Sequence, residues 1–475
     1  MLKSNFTPTL KKSDEKFPHK TTNVSVGVNL PQKVVDIIET FEKAGFEIYV
    51  VGGAVRDILL GKIVDDWDFT TNAQPEEIQK LFPDSYYTNN YGTVGVPSNE
   101  EGMNPYEITT FRTEHGYSDA RRPDKVEWGK TLEEDLVRRD FTINALAIKK
   151  DASDYQIIDL FDGRVDLDKK VIRAVGDAHE RFSEDALRLM RAIRIASELG
   201  FTIEKNTFDA IRANAVLINK IAKERVRDEL LKIMASPNPY EGMLLFRSSG
   251  LMREVLPELE KTFGVEQKSP GRHHIYDVGN HSLYSLKAVA EKNTDPIVRF
   301  ATLIHDVGKS QTYKKLESGT ITFYNHEVVG ARIAKHLAQR LRFSKKDLDK
   351  LWKLVRYHQF SVNENQTDSA LRRFIKHVGP ELVSEMLDLR VGDRLGGGAL
   401  ETSWRLEEFK RRLVEVQKQP FAVKDLKIGG NEIMKELNIK PGPKVGEILN
   451  QLFNEVVENK IPNEREELLK AAKKL

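Results

Sequence analysis

The chain of 475 residues contains no cysteine, and this absence excludes disulfide bonds and thiolate metal sites. It also has no apolar run near the ~20 residues that a membrane-spanning helix requires, so we expect no membrane partner. The first 28 residues are polar and lack the apolar core of a secretory signal. We therefore interpret residues 1–30 as a flexible tail and expect a cytoplasmic protein.

A large net charge is lacking as well. The 74 lysines and arginines are balanced by 72 acidic residues, which leaves a formal net charge of +2. A nucleic-acid partner would therefore have to be bound by local basic patches rather than by bulk charge. The length predicts roughly three domains of about 150 residues each.

The most informative stretch reads YVVGGAVRDILLGKIVDDWDFTTN. A short apolar strand, residues 47–51, is followed by Gly52 and Gly53 and then by the spacing of a helix. A strand, a glycine turn and a helix start present backbone N–H groups that can bind a phosphate closely. Arg56, in the first helical turn, can add a cation to this phosphate site.

The end of the same stretch, Asp66-Trp67-Asp68-Phe69, predicts a second strand. Residues two apart on a strand share a face, so Asp66 and Asp68 are expected to point to one side. Two carboxylates on a rigid face suit Mg²⁺ held between protein and substrate phosphates. Glu107 could supply a third carboxylate, although a surface strand position is expected for it. Each motif alone is common, as a tight turn or a solvated strand edge.

Taken together, GGAVRD followed by DDWDF resembles the class II tRNA nucleotidyltransferase and poly(A) polymerase family, part of the DNA polymerase β-like superfamily. The matching motifs extend from about Leu30 to His358. The resemblance implies an α+β fold, with a polymerase β-like nucleotidyltransferase head built on a small mixed sheet and followed by all-helical domains.

A second match is LEEDLVRRDFTINALAI, Leu132 to Ile148, in which we expect a strand from Phe141 onward. In the family the second arginine contacts the incoming nucleotide, and the resemblance assigns this role to Arg139. Asp140 and Asn144 are expected to contact the ribose or to hold the loop. From the residues alone, an ion-pair cluster at a helix end is an equally good interpretation.

Residues 113–130, TEHGYSDARRPDKVEWGK, predict a loop because they are polar and contain glycine and proline. In the family a flexible loop lies here and is associated with the switch from adding C to adding A. The presence of Asp119, Arg121 and Arg122 argues against an enzyme limited to adding CC. Without the resemblance, an ordinary surface loop would be the preferred interpretation.

The segment EDALRLMRAIR, Glu184 to Arg194, predicts a helix with separate apolar and polar faces. Asp185, Arg188, Arg191 and Arg194 are spaced by three and would follow one polar side. In CCA-adding enzymes this EDxxR motif selects the nucleobase, which assigns that role to Asp185 and Arg188, with Arg191 as a further nucleotide contact. The alternative is an Asp–Arg pair on a solvated face.

One Asp–Arg pair can in principle select C and A without a nucleic-acid template. Both bases offer an amino donor beside an unprotonated ring nitrogen, so the Asp accepts and the Arg donates. Uracil and guanine present a carbonyl beside an N–H, and each buried group left unpaired costs about 1–3 kcal/mol. Poly(A) polymerases of this class tend to have proline after the Asp, so Ala186 favours CCA addition.

Histidine is concentrated in one region, since eight of the eleven lie between Arg272 and His377. The residues that resemble the H…HD…D signature of the HD phosphohydrolases are His281, His305, Asp306 and Asp393. Imidazoles and carboxylates suit transition metals such as Ni²⁺, Mn²⁺ or Fe²⁺. A helical scaffold with surface histidines is the alternative interpretation.

Several further residues bear on this second site. His326 and His358 lie within reach for a second metal, and Asp388 is an alternative to Asp393 as the last ligand. Lys309, in HDVGK, could approach a phosphate. The arrangement is similar to the HD domain of gammaproteobacterial-type CCA-adding enzymes, which implies phosphatase or 2′,3′-cyclic phosphodiesterase activity on RNA-like substrates.

The resemblance thus implies template-independent addition of CCA to tRNA 3′ ends from CTP and ATP, with release of pyrophosphate. Asp66 and Asp68 would bind Mg²⁺, while Gly53 and Arg56 would hold the triphosphate. One alternative is a poly(A) polymerase or an A-adding enzyme. The other is an HD phosphohydrolase whose head binds RNA without catalysis.

The same motifs divide the chain into expected domains. After the tail, they are a nucleotidyltransferase head at 31–175, a helical neck for nucleobase selection at 176–264, an HD metal-dependent phosphohydrolase domain at 265–400 and a helical C-terminal RNA-binding or tail region at 401–475. No oligomeric state follows from the sequence.

Overall fold

The structure is a computed structural model of the chain. It describes residues 30–87, 92–98, 103–115, 125–151, 154–267, 276–363, 366–417, 423–458 and 460–475. The chain forms two compact units, one comprising Met1–Ala222 with Ser248–Leu251 and the other comprising Lys223–Arg247 with Met252–Leu475. The segment predicted as the neck, 176–264, contributes to both units. No helix in the described ranges is both long and apolar enough to cross a bilayer.

The described helices of the first unit are short, and the longest has 13 residues. They are α1 (Gln32–Lys43), α2 (Gly53–Leu59), α3 (Pro75–Leu81), α4 (Leu132–Val137), α5 (Gly163–Lys169), α6 (Ala178–Glu184), α7 (Leu187–Leu199) and α8 (Lys205–Asn214). Two 3₁₀ helices accompany them, at Thr142–Asn144 and Ala215–Lys220.

The described strands of the first unit are β1 (Ile48–Val51), β2 (Asp68–Thr71), β3 (Tyr86–Tyr87), β4 (Thr93–Val96), β5 (Tyr106–Thr110), β6 (Arg112–His115), β7 (Lys125–Trp128), β8 (Leu146–Asp151), β9 (Asp154–Asp159), β10 (Val171–Ile172) and β11 (Thr202–Ile203). Seven of them form one sheet in the order β3-β4-β5-β2-β1-β8-β9. In this sheet β2 and β5 run parallel, whereas β1 pairs antiparallel with both β2 and β8. The predicted small mixed sheet is therefore confirmed.

The centre of the sheet follows directly from the sequence. All four residues of β1 are buried, as expected of an apolar run between two other strands. Helix α1 begins after Pro31 and buries Val34 and Phe41 on one face, which lies against β1. Pro75 opens α3, where its fixed backbone angle and missing N–H cost nothing.

Three local predictions differ from the structure. Strand β2 begins at Asp68, so Asp66 precedes the strand. The predicted strand from Phe141 is a 3₁₀ turn at Thr142–Asn144, and only the residues from Leu146 onward enter the sheet. A side chain on Gly163 would meet the Thr142 carbonyl oxygen at 2.3 Å, so the turn is held by close packing that the sequence pattern does not reveal.

The third difference concerns the selection motif. Helix α7 begins at Leu187, and Asp185 precedes it in an extended conformation with φ −135° and ψ 102°. Its carboxylate accepts the backbone N–H of Leu187, as carboxylates commonly do at a helix start. Asp185 is therefore not on a continuous helical face with Arg188, Arg191 and Arg194, as the spacing of three predicts.

The second unit is helical in nearly all its described length. Its helices are α9 (Lys223–Ala235), α10 (Pro239–Ser248), α11 (Leu251–Val255), α12 (Pro257–Glu260), α13 (Val278–Ala290), α14 (Pro296–Ile304), α15 (Lys309–Thr312), α16 (His326–Arg340), α17 (Lys345–Tyr357), α18 (Asp368–Val378), α19 (Val383–Gly396), α20 (Trp404–Gln417), α21 (Gly430–Leu437), α22 (Pro443–Val457) and α23 (Arg465–Ala472). The hairpin of β12 (Lys314–Lys315) and β13 (Ile321–Thr322) and the 3₁₀ turns Pro380–Leu382 and Val423–Asp425 complete it.

Helix α14 is the centre of this unit, because it packs against α9, α13, α17 and α19. Its buried Arg299 donates to the backbone carbonyls of Met234, Ser236 and Asn293. A buried guanidinium is tolerated where such acceptors satisfy it. Helices α21 to α23 share a separate apolar core around Ile433, Leu452 and Leu468.

Candidate functional site

The first candidate site lies where β1 ends and α2 begins. Gly52 adopts φ 76° and ψ −139°, a conformation that side-chain-bearing residues avoid. A Cβ atom built on Gly52 would lie 3.1 Å from Nη1 of Arg139 and 3.2 Å from Oδ2 of Asp68. Gly52 therefore lies beside a carboxylate and a guanidinium that are far apart in the sequence, whereas Gly53 lies beside the guanidinium of Arg56. Gly53 is the first residue of α2, where free N–H groups accumulate.

Strand pairing brings the acidic residues of this site together. Val51 is paired with Asp68, and Asp68 is paired with Glu107 on the parallel strand β5. Asp66 precedes β2 and is exposed, whereas Asp68 and Glu107 are half-buried. We name Gly52, Asp66, Asp68, Glu107 and Arg139 the head site.

The charges in the head site influence each other. Burial raises the pKa of the Asp68 carboxyl to about 6, because Arg139 offsets only part of the burial and the charges of Asp66 and Glu107 reinforce it. Burial and the Asp66 charge also raise the pKa of Glu107. Carboxylates that repel one another in this way are stabilised by a cation between them. Glu107, which the sequence placed on a surface strand, therefore belongs to this electrostatic group.

Arg139 is held in place by a residue that the sequence analysis missed. The fully buried carboxylate of Asp135 accepts from Nη2 of Arg139 at 3.0 Å and from Nε of Arg138 at 3.0 Å. Burial alone would raise the pKa of Asp135, but the two arginines outweigh it and hold the pKa below its usual value. The spacing of Asp135 to Arg138 and Arg139 is that of ion pairs on a helix, so this signal was present in the sequence.

A chain of polar contacts connects the phosphate-binding turn to α7. Arg56 forms a bidentate ion pair with Asp57 and donates from Nη1 to Oδ1 of Asn144 at 2.9 Å. Asn144 donates to Asp140, and Asp140 accepts from Nε and Nη2 of Arg191 at 2.8 and 2.6 Å. Burial opposes ionisation of Asp140, but Arg191 and Asn144 outweigh it and lower its pKa. In this structure Asp140 and Asn144 thus hold the arginines in position.

The two residues of the selection motif are not paired with each other in the described contacts. Nη1 of Arg188 donates to Glu184 and to the Arg181 carbonyl, and Nη2 donates to the Arg138 carbonyl at 2.8 Å. These bonds use three of the five N–H groups of a guanidinium. Arg188 is therefore anchored next to Arg138 while retaining donors for a further contact. The predicted loop residues Asp119, Arg121 and Arg122 lie outside the residues that the structure describes.

The second candidate site is a buried cluster in the helical unit. Nε2 of His281 lies 3.4 Å from Oδ2 of Asp306 and 3.2 Å from Oδ1 of Asp393. Nε2 of His305 lies 3.2 Å from the same Asp306 oxygen. Asp388 is engaged elsewhere, since it accepts from Asn293. The structure thus brings His281, His305, Asp306 and Asp393 into one group of potential ligands.

A second group shares the central carboxylate. Oδ1 of Asp306 lies 3.3 Å from Nε2 of His326 and 3.6 Å from Nε2 of His358. The two oxygens of Asp306 therefore face two separate sets of imidazoles. We name the two groups together the histidine site. His336 and His377 are exposed and lie outside it, and His273 and His274 are not among the described residues.

The histidines are oriented as metal ligands are. Nδ1 lies 2.7 Å from the Thr302 carbonyl in His305, 2.9 Å from the Phe323 carbonyl in His326 and 2.7 Å from the Val355 carbonyl in His358. A proton on Nδ1 is required for these bonds, so the neutral ring presents an unprotonated Nε2 to the centre.

The electrostatics of the histidine site also favour a bound cation. Burial would raise the pKa of Asp306, but His305 and Lys309 outweigh it and hold the pKa well below its usual range. Burial would lower the pKa of His305, but Asp306 and Asp393 raise it to about 10. Lys309 pairs with Asp306 and Arg390 pairs with Asp393, and the two carboxylates attract further positive charge to the imidazoles between them. Divalent metal ions fit this donor set.

Lys309 pairs with the central carboxylate and also lines the cavity of the histidine site. Its Nζ forms an ion pair with Asp306 at 2.6 Å and donates to Oε1 of Gln267 at 2.9 Å. The residue is buried, so in this structure it braces the central carboxylate. Gly308 is required for packing, because a Cβ atom there would meet the His326 carbonyl oxygen at 2.1 Å.

Comparison with known proteins agrees with both units. The profile "Poly A polymerase head domain" matches residues 48–173, the profile for the "RNA and SrmB- binding site of polymerase A" matches 200–263, and the profile "tRNA nucleotidyltransferase domain 2" matches 320–472. The CCA-adding enzyme of Ligilactobacillus salivarius is 36% identical over 452 residues, which cover 94% of this chain and 98% of that protein.

Other relatives give the same result. The CCA-adding enzyme of Lactiplantibacillus plantarum is 35% identical over 449 residues, covering 93% of this chain and 96% of its own length. Among solved structures, the Bacillus stearothermophilus CCA-adding enzyme in complex with CTP superposes with a TM-score of 0.65 at 28% identity, covering 93% and 96% of the two chains. The Thermotoga maritima CCA-adding enzyme complexed with tRNA shares the fold at a TM-score of 0.58 and 20% identity, over 94% of this chain and 96% of that one.

These matches confirm the polymerase β-like head with its mixed sheet and helical remainder. They extend over almost the full length of relatives that are all CCA-adding enzymes, and the two relatives described are more than one third identical to this chain. The chain belongs to the CCA-adding enzyme family and is a tRNA nucleotidyltransferase.

Proposed function

We propose that this chain adds C, C and A in turn to tRNA 3′ ends, using CTP and ATP and releasing pyrophosphate. The observation that carries this proposal is the meeting of Asp68 and Arg139 over Gly52, at the end of β1. The site offers a carboxylate pair for metal, a guanidinium for phosphate and a glycine turn that admits both. The CTP complex of the Bacillus stearothermophilus relative supports CTP as a substrate.

Asp66 and Asp68 are the proposed Mg²⁺ ligands. Mg²⁺ commonly uses one or two carboxylates and completes its shell with waters and substrate phosphate oxygens, which agrees with the open arrangement of the head site. When bound, the metal supplies Lewis acidity that lowers the pKa of the attacking 3′-hydroxyl and neutralises charge on the α-phosphate.

The remaining residues bind and orient the nucleotide. Gly52 and Gly53 admit the triphosphate to the start of α2, next to Arg56. Arg139, fixed by Asp135, offers a cation beside Asp68, and Arg191 extends the arginine array from α7. The 3′-hydroxyl oxygen forms a bond to the α-phosphorus as the bond to the pyrophosphate oxygen breaks, and the hydroxyl proton passes to solvent.

Asp185 and Arg188 are the proposed readers of the nucleobase. Arg188 is anchored by three hydrogen bonds, so its remaining N–H groups have a defined direction. Asp185 at the start of α7 would accept the amino group shared by C and A. The proposed loop residues Asp119, Arg121 and Arg122 would act in the change from C to A.

The test uses a tRNA truncated at its discriminator base, incubated with CTP, with ATP and with both, followed by sequencing of the ends. We expect CC with CTP alone and CCA with both nucleotides. Addition of A only would instead identify a poly(A) polymerase or an A-adding enzyme and overturn the proposal.

Base selection is tested with Asp185→Ala. We expect the preference for CTP over UTP to fall by roughly 10- to 100-fold, the equivalent of one buried unpaired group. Asp177→Ala is the matched control, because Asp177 accepts the Glu180 N–H at the start of α6 but has no proposed contact with a base. Equal loss of preference in both variants would contradict the assignment.

A second proposed activity is metal-dependent hydrolysis of phosphate esters at the histidine site. The observation that favours it is the arrangement of four imidazole Nε2 atoms around the two oxygens of Asp306. Such a donor set suits Ni²⁺, Mn²⁺ or Fe²⁺, which when bound would supply an activated water and Lewis acidity. We propose phosphatase or 2′,3′-cyclic phosphodiesterase activity on RNA-like substrates.

In the proposed reaction the water oxygen forms a bond to phosphorus while one ester P–O bond breaks, and the leaving oxygen gains a proton. A monoester gives an alcohol and inorganic phosphate, whereas a cyclic ester opens to a monoester. Lys309 holds Asp306, and Arg390 holds Asp393 through a 3.1 Å bond. These contacts fix both carboxylates before substrate arrives.

The number of metal ions is tested by metal analysis of the purified full chain. We expect up to two equivalents in the wild type, loss of one in a His326→Ala/His358→Ala double variant, and loss of both in His305→Ala/Asp306→Ala. Wild-type metal content and hydrolysis in the latter variant would refute the histidine site, whatever the result for nucleotide addition.

A further inference from the structure

A second cavity adjoins the histidine site and has not been assigned a role above. The first cavity, of about 560 Å³, is bordered by Asp306, His326, His358 and Asp393. The second, of about 660 Å³, lies beyond it and is bordered by residues from the ends of α17 and α19 and the start of α20. Gln359, Arg390 and Arg394 line both cavities, so the two cavities adjoin.

The described lining of the second cavity is rich in arginine. This described lining contains three arginines, Arg390, Arg394 and Arg405, and no carboxylate. Arg390 and Arg394 are one helical turn apart on α19, so both reach the junction of the two cavities. Arg394 also donates from Nε to the Leu400 carbonyl and from Nη2 to the Thr402 carbonyl, which fixes the segment leading into α20.

Exposed aromatic rings accompany these arginines. Tyr324 borders the first cavity and is 77% exposed, and Trp404 borders the second and is 64% exposed. The guanidinium of Arg405 lies 5.3 Å from the Trp404 ring centroid. Large aromatic rings exposed beside an arginine-rich cavity differ from scattered surface hydrophobics, because they offer flat faces next to charge.

The chemistry of this groove fits one class of ligand. Arginines follow a phosphodiester backbone, and aromatic rings stack with successive bases without reading their sequence. Ligand cavities of about 300–1,000 Å³ hold a drug-sized molecule, so two such cavities in series exceed the needs of one mononucleotide. We name Arg390, Arg394, Trp404 and Arg405 the arginine groove.

We propose that the arginine groove binds the last nucleotides of a single-stranded oligonucleotide whose terminal phosphate lies in the histidine site. This inference rests on the proposed hydrolase function and adds its substrate class: an oligonucleotide end rather than a free nucleotide. Tyr324 stacks with the terminal base, Trp404 stacks with a base further inward, and the arginines bind the phosphates between them.

Hydrolysis provides the first test. The rate constant kcat/KM is measured for adenosine 3′-phosphate and for four-nucleotide RNA and DNA strands that carry a 3′-phosphate. We expect the strands to be preferred by about tenfold or more, since stacking of one base gives an effect of this size. Trp404→Ala should reduce the ratio of kcat/KM for a strand to kcat/KM for the mononucleotide about tenfold, through a higher KM for the strand. Trp404→Phe should restore this ratio.

Arg405 and Arg411 form a matched pair of substitutions on α20. Arg405 borders the groove, whereas Arg411 is bound to Glu408 and lies outside the described lining. Arg405→Ala should weaken the strand preference, and Arg411→Ala should not. Equal kcat/KM values for mononucleotide and strands in the wild type, or equal effects of both variants, would overturn the groove assignment.

A binding measurement separates this inference from the hydrolase proposal. A fluorescent four-nucleotide strand with a 3′-hydroxyl is titrated with the full chain without nucleoside triphosphates, so neither site can react. We expect Trp404→Ala to raise Kd about tenfold relative to the wild type and to Arg411→Ala. If Trp404→Ala binds the strand as tightly as the wild type does, the groove assignment is wrong even if the chain hydrolyses phosphate esters. If the variant binds the strand more weakly and the wild type shows no hydrolysis, the groove assignment stands and the hydrolase proposal is wrong. The RNA and DNA strands show whether the sugar matters.

Discussion

The head site and the histidine site differ in how completely the protein builds them. In the head site Asp66 is exposed, and burial raises the pKa of Asp68 to about 6. A cation that binds together with the substrate would stabilise the charged form of these carboxylates. In the histidine site six side chains form two groups that share Asp306, and three of the histidines are oriented by backbone carbonyls. The first arrangement suits a metal shared with a triphosphate, and the second suits a resident metal.

The physical reason lies in the ligands. Mg²⁺ keeps several waters and is readily shared with phosphate oxygens, so a pair of carboxylates is sufficient. Metals bound by imidazole need neutral rings in fixed tautomers, and this requires rigid partners behind each ring. Sheet ends with a glycine turn provide the open site, while packed helices provide the closed one.

The largest expected effect tests the independence of the two sites. Asp68→Asn should reduce nucleotide addition on the order of 10³-fold, because several kcal/mol of transition-state stabilisation are lost with the metal. Addition is measured with labelled CTP on truncated tRNA, and metal content of the histidine site should not change. Asp65→Asn, an exposed neighbour, is the control and should retain addition. Loss of bound transition metal in Asp68→Asn would break the comparison.

The reciprocal change is Asp306→Asn. It removes the carboxylate that faces both groups of histidines, so the affinity for metal and the rate of phosphate-ester hydrolysis should both fall by at least ~100-fold. Metal analysis and a hydrolysis assay check this result, with nucleotide addition as the internal control. His336→Ala, an exposed histidine on α16, should leave metal content unchanged.

A smaller effect is expected at the glycine turn, where the chain offers a matched pair. Gly52→Ala introduces a Cβ atom close to Arg139 and Asp68, whereas Gly61→Ala, also at positive φ, meets no atom within 4 Å. Both should lose roughly 1–2 kcal/mol of unfolding free energy from backbone strain. Only Gly52→Ala should also lose addition, by about 10²-fold, since displaced catalytic groups are costly. Equal kinetics in both variants would place the phosphate-binding turn elsewhere.

The last expected effect is on stability rather than on activity, and it concerns the support of the head site. Asp135→Asn should lower the unfolding free energy at pH 7 by roughly 3 kcal/mol, because a buried ion-pair partner is lost. The pKa of Asp135 is lowered in the folded chain, so its contribution is complete above the unfolded value near 3.9 and disappears as the pH falls through the folded value. Denaturant unfolding from pH 7 to about pH 2 should therefore show a constant gap between variant and wild type down to about pH 4 and a narrowing gap below it. Glu133→Gln on the same helix is the control, and a gap that widens towards acid would contradict this role.

Local patterns predicted the parts of the fold that depend on neighbouring residues. The apolar run before Gly52 was predicted as a strand and forms β1, and the amphipathic α1 and Pro75 at the start of α3 likewise have causes within a few positions. The family resemblance added the membership and the α+β fold, which the comparisons confirm.

Other predictions were limited by contacts between distant residues. Asp185 looked helical by spacing, but the end of α6 and the separate start of α7 place it outside a helix. The strand expected from Phe141 was replaced by a 3₁₀ turn because Gly163 packs against Thr142. Glu107 was assigned to a surface strand, yet its pairing with Asp68 makes it part of the head site electrostatics.

The amino-acid sequence by itself determined which chemical groups exist and which lie on one short element: the glycine turn, the acidic pair and the ordered histidines. Only the tertiary structure decided that Arg139 lies over Gly52, that Asp306 divides its two oxygens between two sets of histidines and that Arg390 lines two adjoining cavities. Spacing governs orientation over a few residues, whereas contacts between residues tens or hundreds of positions apart depend on strand order and helix packing.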